Sequence, residues 1–233
     1  LAMLSKRLAC VLSMVPARAQ CVLDVGCDHG YLALALLQQG ICGRVIASDV
    51  SAGALEKARR HKRETAPSAA LSLRLGDGFA VLAPGEADVA VIAGMGGRVI
   101  AGILQAGGET PRGMKALVLQ PMSDAETLRA YLRTHGWRVV REQLVRDAGR
   151  IYPVLRAQRG SEQSPGGVFD ELGWQLVRAR DPLLAPLLEK RLRDMNRALT
   201  QLEAGTPLAH LERIAQVAGR IAAYEEVLAW LAR

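Results

Sequence analysis

The stretch VLDVGCDHGYLALALLQQG, residues 22–40, sets Asp24, Asp28 and His29 between a short apolar run and a leucine- and alanine-rich segment, with Gly26 and Gly30 bracketing Cys27, Asp28 and His29. A strand, a glycine loop and a helix start, in that order, make an anion site in dinucleotide enzymes, because free backbone N–H groups meet the pyrophosphate. Here an acid stands where the middle glycine is expected. Like charges crowded into a partly buried loop cost kilocalories, so Asp24 and Asp28 repel a pyrophosphate. They attract a cation, such as a sulfonium beside a protonated amine.

Three later stretches extend the pattern. Ser48–Asp49, Gly76–Asp77–Gly78 and Gly94–Met95–Gly96–Gly97 each follow a β-rich run. Asp49 comes 19 residues after Gly30, where an acid hydrogen-bonds ribose hydroxyls. Asp77, between glycines, is placed to accept from an adenine amino group. Acids at three successive strand ends, with the glycine loop first, select S-adenosyl-L-methionine (SAM) over a nicotinamide dinucleotide. The candidate cofactor residues at and around these ends are Asp24, Gly26, Cys27, Asp28, His29, Gly30, Asp49, Val50, Gly76, Asp77, Gly78, Gly94 and Met95. Each member has a plainer reading too. Asp28 would cap the helix that follows, His29 would pack in its loop, Asp77 would be a turn residue, and Met95 would fill apolar space.

Positioning these ends requires a parallel sheet. Between residues 21 and 159, β-rich runs at 21–25, 44–48, 71–75, 88–92 and 116–120 alternate with helical runs at 30–39, 51–64, 97–106 and 124–135, the arrangement of a sheet covered on both faces. Ser123 and Glu126 form a capping-box pattern at the last of these helices. WRVVREQLVRD and RIYPVLRAQR then follow as two strands around a turn near Asp147–Gly149, an antiparallel hairpin at the sheet edge. The fold class is α/β and Rossmann-like: seven strands, five of them parallel, closed by that hairpin. The opening segment, with Leu4, Leu8, Val11, Leu12 and Val15 at helical spacing and Lys6 and Arg7 within it, reads as a folded first helix rather than a signal peptide.

The domains read as 1–160 and 161–233. GSEQSPGG, residues 160–167, is a linker by composition. Beyond it lies helix. Asp181–Pro182 marks one helix start, Leu188, Leu192, Met195, Leu199 and Leu202 form its seam, and Gly205 stops it. Thr206–Pro207 starts the next, with Val217, Ile221, Tyr224, Leu228 and Leu231 as its seam. The 4, 3, 4, 3 spacing makes an antiparallel hairpin with coiled-coil packing. The net charge of +7 is uneven: residues 1–161 carry +8 and residues 162–233 carry −1. A basic field over the catalytic part draws polyanions and points to nucleic acid. The four cysteines, at 10, 21, 27 and 42, form neither a zinc pattern nor a disulfide framework, which suits a reducing cytoplasm. No metal site and no membrane segment is expected.

Taken together, LSKRLACVLSMVP, DVGCDHGYLALALLQQG, GDGFAVL, DVAVIAGMGGRVIAGIL and LQPMSDAETLRAYLRTHGW resemble, in order, the class I SAM-dependent methyltransferases. More narrowly they resemble the bacterial tRNA (adenine-N1)-methyltransferases of the TrmK family. The likeness covers about residues 4–157, and the tail in kind only. It implies methylation of N1 of adenine 22 of tRNA, with S-adenosyl-L-homocysteine as the product, and, carried over by motif, SAM held by Asp24, Gly26, Asp28, His29, Asp49 and Asp77. Relatives that methylate amino groups carry an Asn/Asp-Pro-Pro-aromatic clamp where this chain has Gly94–Gly97. That clamp is absent here, so the relatives' way of gripping the base does not carry over; the adenine is expected against Gly96, Gly97, Gln120 and Pro121, with Asp28 as the one candidate for a catalytic role. RNA contacts are expected from Arg59, Arg60 and Arg63, beside Lys57 and Lys62, from Arg129 and Arg133, and from Lys190, Arg193 and Arg197 on the tail. The alternatives are a methyltransferase for another RNA or a small molecule, a nicotinamide oxidoreductase, and a non-catalytic SAM- or RNA-binding module.

Overall fold

The computed structural model describes residues 4–161, 164–204 and 207–233. The chain divides into two compact units, Leu1–Gln163 and Ser164–Arg233.

In the first unit α1 (Lys6–Met14) leads into β1 (Ala19–Val25), α2 (Tyr31–Gln38), β2 (Cys42–Asp49), α3 (Ala52–Thr65) and β3 (Leu71–Leu75). A short 3-10 turn (Gly78–Val81) precedes β4 (Val89–Met95), α4 (Gly97–Ala106), α5 (Glu109–Arg112), β5 (Ala116–Pro121), α6 (Ala125–Thr134), β6 (Trp137–Asp147) and β7 (Arg150–Arg159). The seven strands lie in the order β3-β2-β1-β4-β5-β7-β6. The first five are parallel, and β7 joins them antiparallel, as does β6 to β7. The expected architecture is therefore the observed one. Ladders carry β1, β2 and β4 one to three residues beyond the apolar runs that mark them in the sequence.

Burial explains the element types. Every residue of β5 is buried, as a central parallel strand with helices on both faces requires. By contrast, β6 alternates buried and exposed positions along much of its length, because it is the edge strand. Five consecutive residues of α2, Leu32–Leu36, are buried. Gly30 permits that depth: a Cβ there would stand 3.1 Å from the Cβ of Ala58 on α3. The first helix is amphipathic as expected, burying Cys10, Val11, Leu12 and Met14, and Ser5 caps it by accepting from the Leu8 N–H.

Two helix starts differ from the sequence reading. The Ser123/Glu126 capping box does not form. Asp124 takes the N-cap position with left-handed backbone and no side-chain cap bond, and the Ser123 hydroxyl donates to its carboxylate (2.7 Å). Gly97 packs so closely on the Asp124 carbonyl that backbone contact, rather than a side-chain cap, sets this corner.

The second unit begins with two one-turn helices, α7 (Val168–Leu172) and α8 (Trp174–Arg178), broken at Gly173. The long pair α9 (Leu184–Glu203) and α10 (Pro207–Leu231) follows. Asp181 does not cap α9 directly. Its carboxylate accepts the Leu183 N–H (2.9 Å), and the helix starts after that turn. The seam is most deeply buried at Leu188, Leu192, Ile221 and Tyr224. Glu171 ties α7 to α10, accepting from Tyr224 Oη (2.8 Å) and Arg220 Nη2 (2.8 Å). Gly205 and Thr206 lie outside the described residues. No described helix is long and apolar enough to cross a membrane.

Candidate active site

The chain reverses direction across the sheet between β1 and β4, and ligands of open α/β sheets bind at such a switch point, beyond the carboxyl ends of the strands. Parallel register brings the expected residues there together. Asp24 lies beside Ala47, and Asp49 beside Leu75. After β1 the chain turns at Gly26 (φ 72°), and the N–H groups of Gly26 and Cys27 both donate to the Ser48 carbonyl (2.8 and 3.0 Å). The Asp49 carboxylate accepts the Asp28 N–H (3.1 Å) and the Ser51 N–H (2.9 Å), while its carbonyl accepts from Gly76 (3.1 Å). Three strand ends are thus linked through one aspartate. Met95 closes the group from β4: its terminal methyl occupies the space a side chain on Gly26 would need.

The acids differ in environment. Asp24 is 4% exposed, and its Oδ2 has no hydrogen-bond partner. Burial first, and the neighbouring Asp49 second, push its carboxyl up to about 7. A buried polar atom without a partner is costly, so Asp24 is poised for a donor or a positive charge. Asp77 is exposed just past β3 and lines a cavity with Phe79, Val99 and Ile103. Val50, 70% exposed, offers an apolar face beside Asp49.

Asp28 does not cap α2. The N-cap position belongs to Gly30, with no side-chain cap bond, and the Asp28 side chain is open to solvent, 3.6 Å from His29 Nε2. His29 stacks on Tyr31 (5.5 Å), which meets His61 edge-on (4.6 Å). Cys27 turns its thiol into the core, where burial first and then Asp24 and Asp49 push it up to about 12. A thiol so raised stays protonated at neutral pH.

On the other side of the switch point, Gly94 (φ 80°) donates its N–H to Gln120 Oε1 (3.1 Å). Gln120 is fully buried, so it shapes this wall from beneath instead of presenting its amide to a base. The same oxygen accepts from Arg7 Nη1 (2.6 Å). Arg7 was not among the sequence candidates, since its helix was read from apolar spacing and a contact 113 positions away leaves no local signal.

The RNA candidates separate. Arg129 is 6% exposed and bonded to buried Glu142 through Nε (2.9 Å) and Nη2 (2.6 Å). It staples α6 to β6 and is not a surface contact; Arg133 beside it is half-buried. On α3, Arg59, Arg60, Arg63 and Lys57 are exposed, with Arg59 and Arg63 sharing Glu56, while Lys62 donates to the Leu71 carbonyl (3.0 Å). In the second unit Lys190, Arg193 and Arg197 are exposed, and Asp194 lies within 4.0 Å of both Lys190 and Arg197.

The model of the TrmK family, described as tRNA (adenine(22)-N(1))-methyltransferase, matches residues 22–226. A Bacillus subtilis tRNA (adenine(22)-N(1))-methyltransferase is 35% identical over 161 residues, which are 69% of this chain and 67% of that protein. The crystal structure of the B. subtilis M1A22 tRNA methyltransferase TrmK covers 97% of this chain and 99% of its own, at 27% identity and a TM-score of 0.88. A Streptococcus pneumoniae protein solved in complex with S-adenosyl-L-methionine covers 97% and 100%, at 30% identity and a TM-score of 0.86. Acid-lined strand ends on this sheet, an unsatisfied buried aspartate and these likenesses agree: the chain belongs to the TrmK family of tRNA (adenine(22)-N(1))-methyltransferases.

Proposed function

We propose that this chain uses SAM to methylate N1 of adenine 22 in tRNA, with the acids of β1–β3 holding the cofactor and the loop after β4 receiving the base. The observation that carries the reading is the buried, unpartnered Asp24 Oδ2 beneath a glycine turn that Asp49 ties to the next strand. That set fits a cationic, ribose-bearing ligand and disfavours a pyrophosphate. Asp49 would hold the ribose hydroxyls, Asp77 the adenine amino group, Val50 the adenine face, and Asp24 with Asp28 the positive end. Bound SAM supplies a methyl group on a positively charged sulfur, which the lone pair of neutral adenine N1 takes by in-line displacement.

The residues of the chain then work by orientation. N1 carries no proton, so no general base is required, and positioning and desolvation supply the rate. Met95 and the Gly94–Gly97 backbone would form the wall against which the base is placed. N1 lies on the Watson–Crick edge, so a paired adenine has to leave its stack first. Lys57 and Arg60 on α3, and Arg193 on α9, are among the exposed cations that would meet the phosphate backbone. A tRNA substrate is consistent with a protein that works in the cytoplasm.

The test is incubation with SAM and unmodified tRNA, followed by nucleoside mass spectrometry and mapping of the modified position. N1-methyladenosine at position 22 is expected. Methylation elsewhere, or none with SAM bound, would overturn the reading in favour of another substrate or a binding module.

A further inference from the structure

Beside the acid-lined loops the site wall contains a guanidinium. Arg7, half-buried on α1, donates from Nη1 to Gln120 Oε1 (2.6 Å), and the same oxygen accepts the Gly94 N–H (3.1 Å). Gln120 Nε2 donates to the Pro121 carbonyl (2.8 Å). These three bonds determine which way the amide points. Flipped, its NH2 would face two donors, the guanidinium and the Gly94 N–H, and its oxygen would face a carbonyl.

Gly94 needs this acceptor. The β4–β5 register shifts between Ala93 and Met95, so Gly94 has left the ladder and its N–H turns to a side chain. A bulge of this kind re-aims the backbone beside an active site. Its backbone lies in the left-handed region, and Arg7 Nη1 stands 3.6 Å from where a side chain on Gly94 would begin. The next residue, Met95, is held through its carbonyl, which accepts the Met122 N–H (2.8 Å). The first helix, whose Arg7 lies 113 positions from Gln120 in the chain, therefore reaches the loop proposed to face the base.

We propose that Arg7 is a positioning residue for methyl transfer: through Gln120 it holds bulged Gly94, and so sets the 94–97 loop against which the adenine is placed. The inference rests on the placement of the adenine proposed above. A charge-assisted bond is stronger than a neutral one, and Arg7 supplies it to an amide whose other bonds are already committed. Loss of Arg7 leaves the cofactor acids in place and lets the Gly94 turn wander, so it acts on turnover more than on either binding step.

The experiment compares wild type, Arg7→Gln, Arg7→Lys and Gln120→Met as full-length chains. Calorimetry gives SAM affinity, kcat and KM come from unmodified tRNA with nucleoside mass spectrometry, and Tm comes from thermal melts. Arg7→Gln should bind SAM and tRNA within about threefold of wild type while kcat falls roughly 10- to 100-fold, the scale of a misplaced reacting group. Arg7→Lys should recover part of the loss, since its ammonium keeps a donor. Gln120→Met should lower kcat similarly, and the double variant Arg7→Gln/Gln120→Met should be no worse than the poorer single, because both break one relay. A kcat within about twofold of wild type in folded Arg7→Gln overturns the proposal. So does a loss confined to KM for tRNA, which would make Arg7 an RNA contact. If Arg7→Gln fails to fold, normal turnover in Gln120→Met overturns it. If both fail to fold, the relay is a structural brace and the proposal falls. Wild type that forms no N1-methyladenosine defeats the functional reading itself, whereas active wild type with unaltered variants defeats only the role of Arg7.

Discussion

Asp49 holds its own loop, its carboxylate accepting from the Asp28 and Ser51 N–H groups, and it is the residue proposed for the ribose. Asp49→Ala should weaken SAM binding by about 1.5–3 kcal/mol, the scale of a lost charge-assisted bond, and calorimetry on a folded variant with unchanged affinity would remove Asp49 from the site. Asp24 makes a pH-dependent prediction. Its folded value, about 7, lies above the ordinary 3.8. Between those limits the folded chain keeps a proton that the unfolded chain has released. Stability from this group is therefore complete below the lower limit and is lost as pH rises to the upper one. Without ligand, Asp24→Asn should melt at a higher temperature than wild type at about pH 8, with the difference shrinking as pH falls toward about 4. A cationic ligand favours the carboxylate, so SAM affinity in wild type should rise with pH through about 7 and stay flat in Asp24→Asn. A flat wild-type profile would separate Asp24 from the positive end of the ligand. Asp28 has a positive φ of 46°, which Asn tolerates. Asp28→Asn should thus leave Tm nearly unchanged, and a fall in turnover in that variant would assign the charge a role in the reaction.

At the scale of elements, the Arg129–Glu142 pair holds α6 against the edge strand of the hairpin. Breaking a buried pair from one side leaves an uncompensated charge, which costs about 3–5 kcal/mol. Arg129→Ala should lower Tm sharply, and the fraction that stays folded should keep the SAM affinity of wild type. An unchanged Tm together with weaker tRNA binding would return Arg129 to the RNA surface. The pair also shows why a spacing argument failed. Arg129 and Arg133, one turn apart, read as two cations on one helix face. That face begins at the sheet, where Leu128 and Leu132 are wholly buried, and Glu142 is the partner that makes a buried arginine tolerable.

At the scale of the molecule, the acids proposed to hold the cofactor and the seven-stranded sheet fall within the first compact unit, and the basic excess falls there too, +8 over residues 1–161 against −1 beyond. We expect a chain ending at residue 163 to fold and to bind SAM within a few-fold of the full protein. The proposal for the second unit is that it helps hold tRNA. The shortened chain should then bind tRNA less tightly, and its salt dependence should be shallower by about 0.7–0.9 for each phosphate contact removed. Filter binding across a salt series decides. Equal affinities and equal slopes would leave the second unit without an RNA role. Asp194, set among Lys190 and Arg197, already reduces the contacts to be expected from that stripe.

Sequence alone determined the sheet, its closing hairpin, the paired tail helices and the family. These follow from local periodicity and from glycine and acid spacing at strand ends, which short-range physics controls. It also placed the acids at strand ends, whereas the strand order β3-β2-β1-β4 decided which of those ends lie side by side. Tertiary structure decided what each side chain faces. Asp28 was legible as a cap or a ligand residue, and only the loop path, with Gly30 at the helix start, removed the cap. Ser123 and Glu126 matched a capping box, but close packing of Gly97 on the Asp124 backbone took that corner. Gln120 and Pro121 were legible as a strand end, whereas the burial of Gln120 and its bond to Arg7 required the first helix to be in place. A long side chain can reach either of two neighbours at the same sequence spacing, and the choice depends on partners distant in the chain. Packing and charge compensation across elements made that choice for Arg7 and Arg129 alike.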